Sequence, residues 1–269
     1  MRTLTHTIAT GMLRGWFSPR STPARTILVL AGLILAACAW AGPVDVSPAQ
    51  KDQLKALASD MREKTMRVRR ELMAARMDLF QVYRVYDLDD RKARALIDKI
   101  GKSQSALLNL HLDNQIALRR ILNEPQFNEF CRRMKRFGGH MMGLLGPHEE
   151  GFPDKVPDKD TLEAIGATPD QGRRIWRTTD AQEKKTVVEK LTRDSKQIGE
   201  LYSRYDLDVA AARKLIDSIH QSQMDLAAAN HKSQQTLRSV LTQQQFDRLQ
   251  EEISKRVKRH DHKRPFHRF

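Results

Sequence analysis

The chain has 269 residues and a formal net charge of +14, with 30% charged and only 6% aromatic residues. No strand-like alternation and no glycine-rich phosphate loop occurs, so the composition predicts an all-α protein of long amphipathic helices rather than a deep globular core. A surface this basic suits nucleic acid, anionic lipid or exposed acidic chains, and the N-terminus helps to choose among them.

Residues 27–37 read ILVLAGLILAA, preceded by Arg20 and Arg25 and followed by small residues. A basic segment, a short apolar run and small residues describe a secretory signal peptide over residues 1–41. The run is several residues short of the ~20 needed to span a bilayer. Two processing sites compete. Ala39-Trp40-Ala41 before Gly42 has the ordinary A-x-A form, whereas Leu35-Ala36-Ala37-Cys38 resembles a bacterial lipobox in which Cys38 would be lipidated. Either one exports the chain and demotes nucleic acid as a partner. Cys131 is the only other cysteine, so no intrachain disulfide framework is available.

Ser47-Pro48-Ala49-Gln50 opens a first helical unit (42–135), with Ser47 as N-cap and Pro48 at the first helical position. Apolar or small residues then recur in steps of three and four from Leu54 to Tyr86, predicting a helix from about 48 to 86. Asp87-Leu88-Asp89 reverses the chain, and a second apolar seam runs from Leu96 to Ile121. After Leu122-Asn123-Glu124-Pro125-Gln126 a short helix is expected through Met134. Residues 136–166 are rich in glycine and proline and read as a linker. Thr168-Pro169-Asp170-Gln171 then opens a second unit (167–254), which breaks again at Leu241-Thr242-Gln243-Gln244-Gln245. A basic, histidine-containing tail (255–269) ends the chain, with disorder expected after its first turn or two.

The two units are a repeat. Residues 82–134 return at 201–253 with a constant offset of 119, and twenty of those fifty-three positions are identical. Among them are Tyr86/Tyr205, Arg94/Arg213, Ser103/Ser222, Arg119/Arg238 and Gln126/Gln245. A repeat of this length is a statement about architecture. At the opening motifs the offset is 121, so two residues have been gained or lost within the first long helix.

An exported helical unit opening with Ser/Thr-Pro-x-Gln and closing with Leu-Thr-x-x-Gln resembles the Spy/CpxP family of periplasmic proteins. The motif residues are Pro48 and Gln50, Leu122 and Gln126, Pro169 and Gln171, and Leu241, Thr242 and Gln245. The first closing motif departs from the pattern by carrying Asn123 in place of Thr. The resemblance implies a periplasmic protein whose units form antiparallel cradles with a basic, partly apolar face. It also implies either ATP-independent capture of unfolding envelope proteins or damping of an envelope-stress sensor kinase. Relatives that bind zinc, nickel or cobalt imply a metal-binding alternative. Two units in one chain imply a monomeric pseudo-dimer, with a homodimer as the other arrangement, and a purely structural envelope role is a third reading.

Three sets of candidate site residues follow. Arg69, Arg70, Met73, Arg76, Met77, Phe80, Arg84, Arg91 and Arg94 combine adaptable methionine with cationic arginine, suited to varied apolar clients. His140, Met141, Met142 and His148 offer nitrogen and sulfur ligands in the linker, a set that suits Cu as well as Zn, Ni or Co. The basic tail suits an anionic membrane surface. No nucleophile motif, H-E-x-x-H or paired Cys/His spacing is present, so the sequence points to a binding protein that requires no cofactor and not to an enzyme.

Overall fold

The computed structural model of the protein describes residues 45–136, 157–178 and 181–262. Eight α-helices and no strand lie among the described residues. They are α1 (Pro48–Tyr83), α2 (Asp90–Ile121), α3 (Glu124–Arg136), α4 (Lys159–Ala164), α5 (Pro169–Thr178), α6 (Ala181–Tyr202), α7 (Val209–Val240) and α8 (Gln243–His262). The signal-peptide residues, Cys38 included, lie outside the described residues, as do the four linker residues considered as metal ligands. No described helix is long and apolar enough to cross a membrane.

α1 and α2 form the first long hairpin. Asp89 caps α2 by accepting from the Lys92 amide, and Asp208 caps α7 by accepting from the Ala211 amide. α2 and α7 are each 32 residues, ~48 Å long at 1.5 Å per residue. They lie antiparallel: Asp90 at the start of α2 meets His231 and Gln235 near the end of α7, and Gly101 at mid-helix meets Met224. A Cβ at Gly101 would overlap the Met224 sulfur, so any larger residue there requires the Met224 side chain to move.

Each hairpin builds its core partly from the other's long arm. Leu72, Leu79, Tyr83, Ile97 and Ile100 cluster with Met224 and Ala227 of α7. In the second unit Leu191, Ile198, Tyr202, Ile216 and Ile219 cluster with Leu108 and Leu112 of α2. Tyr202, Ile198 and Ile219 are fully buried, each worth ~1.5–3 kcal/mol of apolar transfer. The shorter helices close the two ends of the bundle. Val46, Leu54, Leu122, Phe127 and Phe130 pack at one end with Cys131 as a half-buried thiol. Leu162, Ile165, Ile175, Val240 and Leu249 pack at the other.

Two boundaries differ from the sequence reading. α1 ends at Tyr83 rather than 86, because the carbonyls of Tyr83 and Val85 are taken by the Arg238 guanidinium of α7. Residues 158–166, read as linker from their surroundings, fold into the cluster at the second end. Asp158 caps α4 through the Thr161 amide, Leu162 and Ile165 are buried, and Gly166 (φ +74°) terminates the turn. A helix of one and a half turns leaves too little periodicity to show against a glycine/proline background. α8 carries the helix about two turns into the basic tail, to His262, within the turn or two expected to be ordered there.

Candidate functional site

The repeated motifs form a pair of hydrogen-bonded knots. Ser47 accepts from the Gln50 amide while its own amide donates to Gln50 Oε1, a reciprocal capping box. Asn123 and Gln126 make the same box at the start of α3. The two glutamines then join. Gln50 Nε2 donates to the Ile121 carbonyl at 2.7 Å and to Gln126 Oε1 at 2.9 Å, and Gln126 Nε2 donates to the Asp45 carbonyl at 2.7 Å. The second unit repeats every bond. Thr168–Gln171 and Thr242–Gln245 form the boxes, Gln171 Nε2 donates to the Val240 carbonyl and Gln245 Oε1, and Gln245 Nε2 donates to the Gly166 carbonyl. Glutamine is needed because its amide donates and accepts at once. Asn123 supplies the same acceptor as Thr242, so the departure from the motif costs no bond.

A second set of contacts ties the halves reciprocally. Arg119 donates to the carbonyls of Tyr202, Arg204 and Tyr205 and lies 4.2 Å from the centroid of the Phe127 ring. Arg238 donates to the carbonyls of Tyr83 and Val85 and lies 4.5 Å from the Phe246 ring. Tyr86 donates to the Arg238 and Leu241 carbonyls, and Tyr205 to the Arg119 and Leu122 carbonyls. Burial lowers both arginines from their ordinary value, Arg238 to about 10. They carried a signal in the sequence as identical repeat positions, but their role needed the structure.

The two joints differ in one respect. Beside Tyr83, His231 is buried; the Tyr83 hydroxyl lies 3.0 Å from its Nδ1 and Asp90 2.7 Å from its Nε2. Gln235 and Arg94 also donate to Asp90, and the Arg94 and His231 contacts hold that carboxyl at about 2. Through the 119 offset the counterparts of Tyr83, His231, Asp90 and Gln235 are Tyr202, Leu112, Val209 and Ile116. There the Tyr202 hydroxyl is buried without a partner. The His111 ring meets Tyr202 edge-on at 5.1 Å, its Nε2 is likewise buried without a partner, and burial pushes it down to about 4.

The client-binding residues read from the sequence fall mostly on one strip of α1. Joined by Met66 on the same face, Arg69, Arg70, Met73, Arg76, Met77, Phe80 and Arg84 follow one another by one, three or four residues. They span about a third of the helix circumference, beside the buried seam of Leu72, Ala75 and Leu79. None of the eight is buried, and Met73 is 53% exposed. Asp60, Glu71 and Asp78 sit on the far side of α1 and Glu63 borders the strip, which its four arginines leave net cationic. Arg84 lies over the Phe80 ring at 5.8 Å, and partial burial lowers the Arg69 guanidinium from its ordinary value. Arg91 and Arg94 stand apart on the first turn of α2, Arg94 paired with Asp90.

No group of three or more His, Cys, Asp or Glu side chains that could hold a metal lies among the described residues. The architecture is thus an all-α assembly of two long hairpins with knotted ends and one mixed Met/Arg strip. Compared with protein-family models, curated proteins and solved structures, the chain finds no match.

Proposed function

We propose that this chain is an exported, ATP-independent chaperone-like protein of the Spy/CpxP type, which binds unfolded or stress-exposed envelope proteins. The observation that carries the reading is the α1 strip, where exposed Met73 and half-buried Met66, Met77 and Phe80 are interspersed with Arg69, Arg70, Arg76 and Arg84. A monomer that leaves large, adaptable apolar side chains at the surface among cations has a surface suited to transient apolar partners. In the same proposal the two units act as an intramolecular pseudo-dimer. Arg119 with Arg238 and Tyr86 with Tyr205 support it, because each contact of one unit is returned by its repeat counterpart, the rule for a two-fold interface.

The mature protein then suppresses aggregation of a reduced, unfolding client without ATP. Charge reversal at Arg69, Arg70 and Arg76 weakens suppression while the helical CD signal and melt are retained. No suppression of several unrelated clients at severalfold molar excess would sink the reading. Sedimentation as a monomer with a single cooperative melt is expected of the pseudo-dimer, and an obligate dimer would refute it.

A further inference from the structure

The client face is not duplicated, although the scaffold beneath it is. Burial aligns α6 with α1 at the 119 offset: Leu72 with Leu191, Leu79 with Ile198 and Tyr83 with Tyr202 are all buried. Carried across, Arg69, Met73, Arg76, Phe80 and Arg84 become Val188, Thr192, Ser195, Gly199 and Ser203. The long apolar and cationic side chains are replaced by short ones, and Ser195 is only 4% exposed where its counterpart Arg76 is half-buried. The other three strip positions, Met66, Arg70 and Met77, become Lys185, Glu189 and Lys196, so those methionines give way to charge and one arginine becomes an acid.

We propose that each chain has a single docking strip, on α1, and that its occupant is an acidic extended or helical protein segment with apolar side chains spaced three to four residues apart. This rests on the client-binding reading and specifies the partner's chemistry and number. Charge complementarity selects the acid. Arg62, Arg69, Arg70, Arg76 and Arg84 lie on or beside the strip against a single bordering acid, Glu63, whereas Asp60, Glu71 and Asp78 lie on the far side of α1. Arginine stacks and forks around carboxylates, and its low hydration lets it share a surface with methionine. The spacing of Met66, Met73 and Phe80 at seven-residue intervals offers an apolar row that an amphipathic segment can follow for two helical turns and more. The second unit, lacking such a face, holds α1 in place through the α2–α7 pairing.

The test uses the mature full chain and three fluorescent peptides with identical apolar positions and acidic, neutral or basic polar positions. Titration calorimetry and anisotropy at low and raised salt measure stoichiometry and affinity. One acidic peptide per chain is expected, bound at least tenfold more tightly than the basic one and weakened by salt. Arg70→Glu with Met73→Ser, both at exposed positions, lowers that affinity at least tenfold, whereas Val188→Ser with Lys196→Glu on α6 leaves it within twofold. Two peptides per chain, no preference for the acidic peptide, or equal loss in the α6 variant would overturn the proposal. Aggregation suppression that persists in the α1 variant removes the strip but keeps the chaperone reading. Absence of both suppression and peptide binding removes both.

Discussion

His111 makes the stability of this protein depend on pH through a term that can be isolated. Its ring is partly buried and packs edge-on against Tyr202, its Nε2 is buried without a partner, and burial lowers it from an ordinary 6.5 to about 4. Above the unfolded value both states are neutral and the residue contributes nothing to pH dependence. As pH falls from 6.5 toward 4 the unfolded chain takes up the proton and the folded chain does not, so stability is lost across that window. A shift of that size at 1.36 kcal/mol per unit gives about 3 kcal/mol, a large share of the ~5–15 kcal/mol that holds a typical domain. His111→Leu removes the titration, keeps the ring's apolar neighbours and abolishes an unsatisfied buried nitrogen. Urea unfolding followed by far-UV CD, from about pH 7.5 to about pH 4, measures both proteins. The variant should equal or exceed the parent at the alkaline end, and the gap should widen by about 3 kcal/mol on acidification. Carboxylates titrate equally in both, so the difference reports His111 alone. Parallel curves over the whole range would refute the buried, neutral imidazole.

Arg119→Lys and Arg238→Lys remove a planar fork that serves several carbonyls, and each should cost about 2 kcal/mol in urea unfolding despite conserved charge. Gln126→Ala strands the Asp45 carbonyl and the Asn123 amide, for a loss of about 1–3 kcal/mol read as a lower urea midpoint. Gln245→Ala should act alike at the other knot, and unequal melting of the two would show that the knots are not equivalent. Asp90 is held below its ordinary 3.8, first by Arg94 and next by His231, so its contribution is present above 3.8 and lost as pH falls toward about 2. Asp90→Asn should therefore flatten the acid limb of the stability profile in that window and leave the rest unchanged.

The long helices were legible because their seams repeat over ten turns, enough for periodicity to outweigh local noise. The capping motifs were legible too, since Ser/Thr/Asn followed three residues later by Gln is a local signature. What the sequence could not show was the partner of each side chain. The joining of Gln50 to Gln126, and of Arg119 to the turn at Tyr205, links residues 76 and 86 positions apart, which no local pattern encodes. The strip on α1 was half-visible. Its methionines and arginines stood out by type, but Arg91 and Arg94 were grouped with them by proximity in the chain, and the turn at 84–89 separates them.

In the proposed pseudo-dimer, covalent linkage accounts for where the two units differ in sequence. In a homodimer every substitution at a two-fold interface is made twice, so a residue suited to one side is imposed on the other. A single chain escapes that constraint. Positions needed by both joints have stayed identical, as with Arg119 and Arg238, Phe127 and Phe246, and Gln115 and Gln234, which orient the guanidiniums through side-chain and main-chain oxygens. Positions facing each other across the central pair have become complementary instead. Gly101 and Ser105 are small where their counterparts His220 and Met224 are large, and Met224 fills the space that Gly101 leaves. The proposed one-sided client strip follows the same logic: one half is free to specialise its outer face because the other half supplies the scaffold.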